Sequence, residues 1–302
     1  MDDVLFDFCK SVFSNFPVET SHLKNAEILP PIWSTAAKFY RQNCRVFALN
    51  MYFGQNEPKY VFTPDGFRSL PEFRDQQYSL EDVREMDPAC TVIDRVAIYP
   101  ADCRYLVFTI PRKEAFGKLL PFVLSHPGRR GTVDVNIDPE EETPYELFDL
   151  LLKIPSVNDL TLHKNTEFVE EFLRQKLKNV VRPTLKLRGN LSWSNDILKI
   201  VENKILAGEV ESVYMPYGYD LSLSLALKYM EFYKETQGKI EFFVVYGEVE
   251  YEDEELEPYL KEFTFQDMAG VCLVYTYSLP GCDRKLTFTD FRAYDEYSIR
   301  VN

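Results

Sequence analysis

Val157-Asn158-Asp159-Leu160-Thr161-Leu162-His163-Lys164-Asn165 is the stretch that decides how the middle of this chain folds. Its apolar residues stand at the first, fourth and sixth places, and an asparagine closes it. Leu160 and Leu162 alternate as a half-buried strand requires. The Asn amide can satisfy backbone groups where the chain bends out of that strand. The spacing returns on both sides. Leu185-x-Leu187-x-x-Asn190 matches all but the first place, which holds Arg182, and Val210-x-x-Val213-x-Met215-x-x-Gly218 follows it. Val133-x-Val135-x-x-Asp138 precedes them, and a weaker copy, Ile240-x-x-Phe243-x-Val245-x-x-Glu248, comes last. The closing residues fall at 138, 165, 190, 218 and 248, a period of 25 to 30 residues.

The intervals between these strands read as helices. Thr143-Pro144-Tyr145-Glu146 is a capping box with Pro at the first helical position, and Leu147, Leu150, Leu151 and Ile154 give one apolar face. Phe168, Phe172, Leu173 and Leu177 mark the next helix, and Ile197, Ile200, Val201 and Ile205 a third that Gly208 can end. Leu221, Leu223, Leu225 and Leu227 alternate like a strand. Asp220 can cap a helix there, however, Tyr229, Phe232 and Tyr233 continue the stripe, and Gly238 ends it, so a helix is expected.

One strand–helix unit cannot bury both its faces, whereas stacked units share a core. A period of this length, with a full helix per unit, is that of long leucine-rich repeats. The expected fold is therefore α/β: a leucine-rich-repeat-like strand–helix solenoid with a parallel sheet and its helices on one side. A doubly wound sheet alternates in the same way, but the recurring Asn and the even spacing favour repeats.

Upstream, Val4, Leu5, Phe8, Val12 and Phe16 recur at helical spacing until Pro17. A second helix carries Ile32, Trp33, Ala36, Ala37 and Tyr40, entered through Pro30–Pro31. Arg45 to Phe53 and Lys59 to Thr63 alternate as strands about a turn at residues 54–56. Residues 64–90 read as a loop or linker. Val92–Tyr99 and Arg104–Ile110 read as a hairpin around Pro100-Ala101-Asp102. The expected organisation is 1–55, helices leading into a strand; 56–110, linker and hairpin cap; and 111–302, repeats closed by strands at Val271–Tyr277 and Leu286–Phe288.

Composition narrows the function classes. The chain has 302 residues, 45% of them hydrophobic and 15% aromatic, which is globular rather than disordered usage. A net charge of −14 repels nucleic acid, and the densest basic cluster, Arg129–Arg130 between two glycines, reads as a solvated loop. Gly247 to Glu257 holds seven acids, a solvated loop or a docking site for a basic partner. The start carries two aspartates where a signal peptide needs basic residues and an apolar run. Its six cysteines are then expected to stay reduced and free. No apolar run reaches the roughly 18 residues of a membrane span, so a cytoplasmic or nuclear protein without a membrane partner is expected.

No nucleophile elbow, dinucleotide or P-loop motif occurs, and no cysteine pair has zinc-site spacing. The three histidines, His22, His126 and His163, stand apart, and Asp134 and Asp138 near Glu140–Glu142 read as surface carboxylates. No catalytic, cofactor-binding or metal-ligating residue is singled out and no cofactor is expected. The expected work is binding a protein partner. A structural or antagonist protein with the same fold, or an enzyme with its site in the 64–90 loop or at the strand ends, are the alternatives. If the repeats form a sheet, the residues between the inward positions form its outer face. Of these, Arg188, Tyr214, Lys186, Thr161 and Asp134 are the candidate partner contacts, with Asn136 and Phe242 also in outward places. Tyr and Arg are frequent interface anchors.

Val4-Leu5-Phe6-Asp7-Phe8-Cys9, then Ile32-Trp33 with Ala36-Ala37, then Asn43-Cys44-Arg45 entering a strand, resembles nematode-expanded proteins with a divergent F-box-like start and a repeat-like C-terminal region. The resemblance covers the first ~55 residues best, with a fainter echo in Pro216-Tyr217-Gly218-Tyr219-Asp220-Leu221. It implies that the N-terminal helices dock on a Skp1-type adaptor while the repeats select a target for ubiquitin transfer. Leu5, Phe8, Val12 and Trp33 would then lie on or under the adaptor-facing helices. The chain departs from the family in lacking the Leu-Pro opening, with Val4-Leu5 in its place, and in the irregular interval before Trp33.

Overall fold

The expected hairpin about residues 54–56 is present: β1 (Arg45–Phe53) and β2 (Lys59–Pro64) run antiparallel, with Phe47 opposite Pro64 and Tyr52 opposite Lys59. The computed structural model describes residues 8–9, 12, 25, 28, 30–54, 57–64, 76–100, 108–125, 127–136, 145–154, 157, 159–163, 166–179, 183–188, 193–215, 219–247, 249–250, 255, 258–268, 270–291 and 296–301. Leu5, Cys103, the Thr143–Pro144 cap and the closing asparagines Asn165 and Asn190 lie outside them. Two compact units emerge, Met1–Val157 and Asn158–Asn302. The expected 1–55 and 56–110 segments both fall in the first.

In the first unit, β3 (Thr91–Pro100), β4 (Phe108–Thr109) and β5 (Pro127–Val135) complete a sheet in the order β5-β3-β1-β2-β4. β3 is parallel to both β1 and β5, and β4 pairs antiparallel with β2. The expected hairpin of Val92–Tyr99 with Arg104–Ile110 is therefore corrected. Ile93, Val96, Ala97 and Ile98 are all buried, so β3 is apolar on both faces, the mark of a central strand with parallel neighbours. Arg129–Arg130 lie within β5 rather than in a loop.

The reading of 64–90 as loop is corrected from residue 78 on. Tyr78 bridges to Phe62, and α2 (Leu80–Arg84) begins at a capping box in which Ser79 and Asp82 satisfy each other's backbone N–H. Its Leu80 and Val83 are buried; two apolar anchors among many charges leave almost no periodic signal. Farther along, a π-helical turn at Ala115–Leu119 leads into α3 (Leu120–Ser125). α1 (Pro31–Asn43), entered with Pro at its first position, buries Ala36, Ala37 and Tyr40 in one cluster with Cys9 and Cys44. α4 (Tyr145–Leu152) buries Leu147 and Leu151.

The second unit opens with the periodic elements: β6 (Asp159–Leu162), α5 (Glu167–Asn179), β7 (Thr184–Leu187), α6 (Asn195–Leu206), β8 (Ser212–Met215), α7 (Leu223–Thr236) and β9 (Phe242–Tyr246). These four strands are parallel neighbours in chain order, with Leu160, Leu185, Val213 and Val244 in one row. α5 touches α6, and α6 touches α7. Leu160, Leu162, Leu185, Leu187, Val213 and Met215 are all buried, as is Val135 in the first unit. Phe168 is 40% exposed, so α5 buries Val169 with Phe172, Leu173 and Leu177 instead. The ambiguous fourth interval is helical, capped by Ser222 rather than Asp220. It ends through Gln237 and Gly238, both left-handed; a Cβ on Gly238 would meet the Cys282 Sγ at 2.9 Å.

The sheet does not remain parallel. β9 pairs antiparallel with β13 (Glu296–Val301), and β12 (Lys285–Phe291), β11 (Leu273–Ser278) and β10 (Thr264–Asp267) follow antiparallel in turn. The fold is α/β with mixed sheets, and the expectation of an all-parallel sheet is corrected. The connections between the last strands are too short for a crossover and permit only antiparallel return. Among the described residues no helix is long and apolar enough to cross a membrane.

Five cysteines are described, Cys9, Cys44, Cys90, Cys272 and Cys282, and each is a free thiol. Burial pushes the Cys44 thiol up to about 12, against the hydrogen bond it shares with Tyr40. The thiolate is the reactive species. Brief iodoacetamide treatment of the native protein at pH 8 should therefore label half-buried Cys272 and Cys282 ahead of Cys44, read by peptide mass spectrometry. Early labelling of Cys44 would show that the cluster around α1 opens.

Candidate protein-binding face

The strands of the second unit alternate, so one set of side chains faces the helices and the other forms an outer face. Register places Thr161, Lys186, Tyr214, Val245, Ser298, Thr289, Val274 and Gln266 in one transverse row of that outer set, one residue from each of eight strands. A second row runs Asp159, Thr184, Ser212, Phe243, Arg300, Thr287, Thr276 and Thr264. The small members of the first row, Thr161, Val245 and Ser298, are buried. Lys186, Arg188 and Arg300 are exposed.

Tyr214 is the fixed point of the face. Its hydroxyl donates to the Glu296 Oε1 at 2.8 Å, across the neighbouring β9, and the Arg188 guanidinium lies 5.7 Å from its ring centroid. A cation over a tyrosine at a partly exposed site contributes about 0.5–1 kcal/mol, and the hydrogen bond about as much. The ring is thus held before any partner arrives, which lowers the ordering cost of binding. Among the described residues Lys186, Arg188 and Arg300 make no ion pair. Three exposed cations thus stand on one sheet face of a protein of net charge −14, with the Glu296 carboxylate among them.

The expected contacts divide accordingly. Arg188, Tyr214 and Lys186 share the outer face. Thr161 stands in the same row but is only 9% exposed, a floor residue with little surface to offer. Asp134, in the first unit, accepts from the Arg95 guanidinium at 2.8 Å, and the same guanidinium reaches the Tyr99 hydroxyl at 3.3 Å. Asn136 donates its backbone N–H to Ile98 O at 2.7 Å. Phe242 is corrected: it is buried at 3%, and Phe243 and Val245 point outward. The fifth template copy is one residue out of register, and a one-residue slip exchanges the faces of a strand.

No protein-family model matches this chain. Neither a curated protein nor a solved structure is similar to it. The site is read from its own geometry. Glu296 and Arg300 went unread in the sequence although a signal was there: Glu296-Tyr297-Ser298-Ile299-Arg300-Val301 alternates polar and apolar, and Tyr297, Ile299 and Val301 are buried. Nothing local could place that strand beside β9, 82 residues from Tyr214.

The adaptor-facing set is described in part. Phe8 is 58% exposed, and its ring meets Trp33 edge-on at 6.1 Å. Val12 and Trp33 are half-buried, and Cys9 is fully buried. Two other features are less suited to partner recognition. An open cleft of about 940 Å³ in the first unit is lined by Arg112, Lys113, Lys153, Glu146 and Asp149, charges of both signs. In the second unit the Tyr229 and Tyr246 hydroxyls meet at 2.7 Å in the core, where burial raises both phenols. Tyr219 beside them is pushed up to about 12 by burial and then by the Glu202 carboxylate. All three stay protonated at neutral pH and pack as neutral rings.

Proposed function

We propose that this chain is a protein–protein interaction scaffold that acts as the substrate receptor of a Skp1-type ubiquitin ligase. In this reading Asp159–Tyr246 is a leucine-rich-repeat-like strand–helix solenoid, and its outer sheet face receives the target. The observation that carries it is the fixed Tyr214 between Arg188 and Glu296, with Lys186, Arg188 and Arg300 exposed on the same face and in no ion pair among the described residues. A target that presents carboxylates beside an apolar side chain complements that face. Affinity capture with the wild-type chain, repeated with R188A/Y214A, tests it.

The adaptor half rests on the F-box-like resemblance and on Phe8, which stands outward over Trp33 while Cys9 beside it anchors the segment. A purified Skp1-type adaptor should bind the wild-type chain. Phe8→Asp should weaken that binding by about 2 kcal/mol or more, because a charge replaces an apolar anchor, without shifting the thermal midpoint. If the wild-type chain retains no adaptor by calorimetry, the scaffold works without one, as a structural or antagonist protein.

A further inference from the structure

The sheet of the second unit ends at β10, and its edge has features of a surface built to take another strand. β10 is the terminal strand in the order β10-β11-β12-β13-β9 and, among the described residues, is paired on one side only. All four of its residues, Thr264, Phe265, Gln266 and Asp267, are exposed. Met268 N donates to Cys272 O at 3.0 Å. In an antiparallel ladder hydrogen-bonded pairs alternate with non-bonded ones, so Gln266 and Thr264 also bond toward β11. The N–H and C=O of Phe265 and Asp267 must then point the other way, to the free edge. The strand carries no lysine, proline or bulge of the kind that blunts edges.

Two observations say what fits there. Phe265 is 58% exposed, Met268 46% and Val271 52%, three exposed apolar side chains within seven residues at the β10–β11 hairpin. The exposed charges flanking the strand in sequence are the acids Glu262 and Asp267 and one base, Lys261, and the sequence from 247 to 257 that precedes them holds seven acids. A second copy of the chain would set these acids against their own kind, at −14 per molecule.

We infer that β10 is a docking edge for a basic, extended peptide segment that adds to the sheet as one more strand, with main-chain bonds to Phe265 and Asp267, apolar side chains over Phe265 and Met268, and lysines or arginines toward Glu262 and Asp267. Such strand addition draws affinity from the ladder and specificity from alternate side chains. This surface is separate from the Arg188–Tyr214 face and stands whether or not that face binds a target.

The test is fluorescence anisotropy with a labelled ten-residue peptide of alternating lysine and valine, and with the same peptide methylated on its central amides. The unmodified peptide should bind saturably, and the methylated one at least tenfold more weakly, since it keeps the charge but cannot complete a ladder. Phe265→Pro removes an outward N–H together with the exposed ring that leans on Tyr275, and it leaves the bonds to β11 in place, at a position where edge strands tolerate proline. It should cost at least tenfold in peptide affinity with an unchanged thermal midpoint, and R188A/Y214A should change nothing. Equal binding of both peptides would overturn the inference in favour of charge alone. So would absence of saturable binding, or a chain that is already dimeric by light scattering and loses the dimer in Phe265→Pro. Should Phe265→Pro fold poorly, the comparison of the two peptides on the wild-type chain decides.

Discussion

Leu187→Ala is expected to lower the unfolding free energy by about 2–5 kcal/mol, read as an earlier midpoint in urea at unchanged slope. Leu187 is fully buried, directly beside Leu162 in the row of β6 and β7. Truncation leaves a void that a sheet packed between neighbouring strands and helices can fill only partly. The neighbouring Lys186 is exposed, and Lys186→Ala should stay within about 0.5 kcal/mol of the wild type. The contrast between adjacent residues is the sharp part of the prediction, because it follows only from the alternation of the strand. A small effect at Leu187 with a large one at Lys186 would mean that the faces of β7 are reversed.

The second large effect is on binding. R188A/Y214A should weaken a partner captured by the outer face by more than roughly 2 kcal/mol, about thirtyfold in Kd. Stability should fall by no more than about 1–2 kcal/mol, the worth of the cation–ring contact and the Tyr214–Glu296 hydrogen bond together. The single variants sharpen the result. If Arg188 acts partly by holding the Tyr214 ring, a double-mutant cycle should show coupling of about 0.5 kcal/mol or more. Unaltered binding in the double variant would move the interface to the N-terminal helices or to the β10 edge.

The strand–helix alternation of 157–246 was legible because its signals are local. Leu160-x-Leu162, Leu185-x-Leu187 and Val213-x-Met215 each declare a buried face within three residues, and Gly208 and Gly238 mark helix ends within a turn. Arg188, Tyr214 and Lys186 were legible as outward residues for the same reason. The sequence by itself thus determined which segments are strands and helices through the middle of the chain, and which side chains of β6, β7 and β8 face away from the core.

What lay beyond it needed partners far along the chain. Phe242-Phe243-Val244-Val245-Tyr246 is apolar at every position, so no local pattern chooses its register; pairing with Val213 on one side and Ile299 on the other does. Val92–Tyr99 ended at a turn signal and read as half of a hairpin, yet its two buried faces required parallel neighbours from residues 45–53 and 127–135. Glu296 met Tyr214 only because β13 returns antiparallel beside β9. Strand order, register and the exposed β10 edge were decided by the tertiary structure alone. The physical reason is that a strand's backbone bonds are made to whichever neighbour best buries its faces, and sequence separation does not enter that choice.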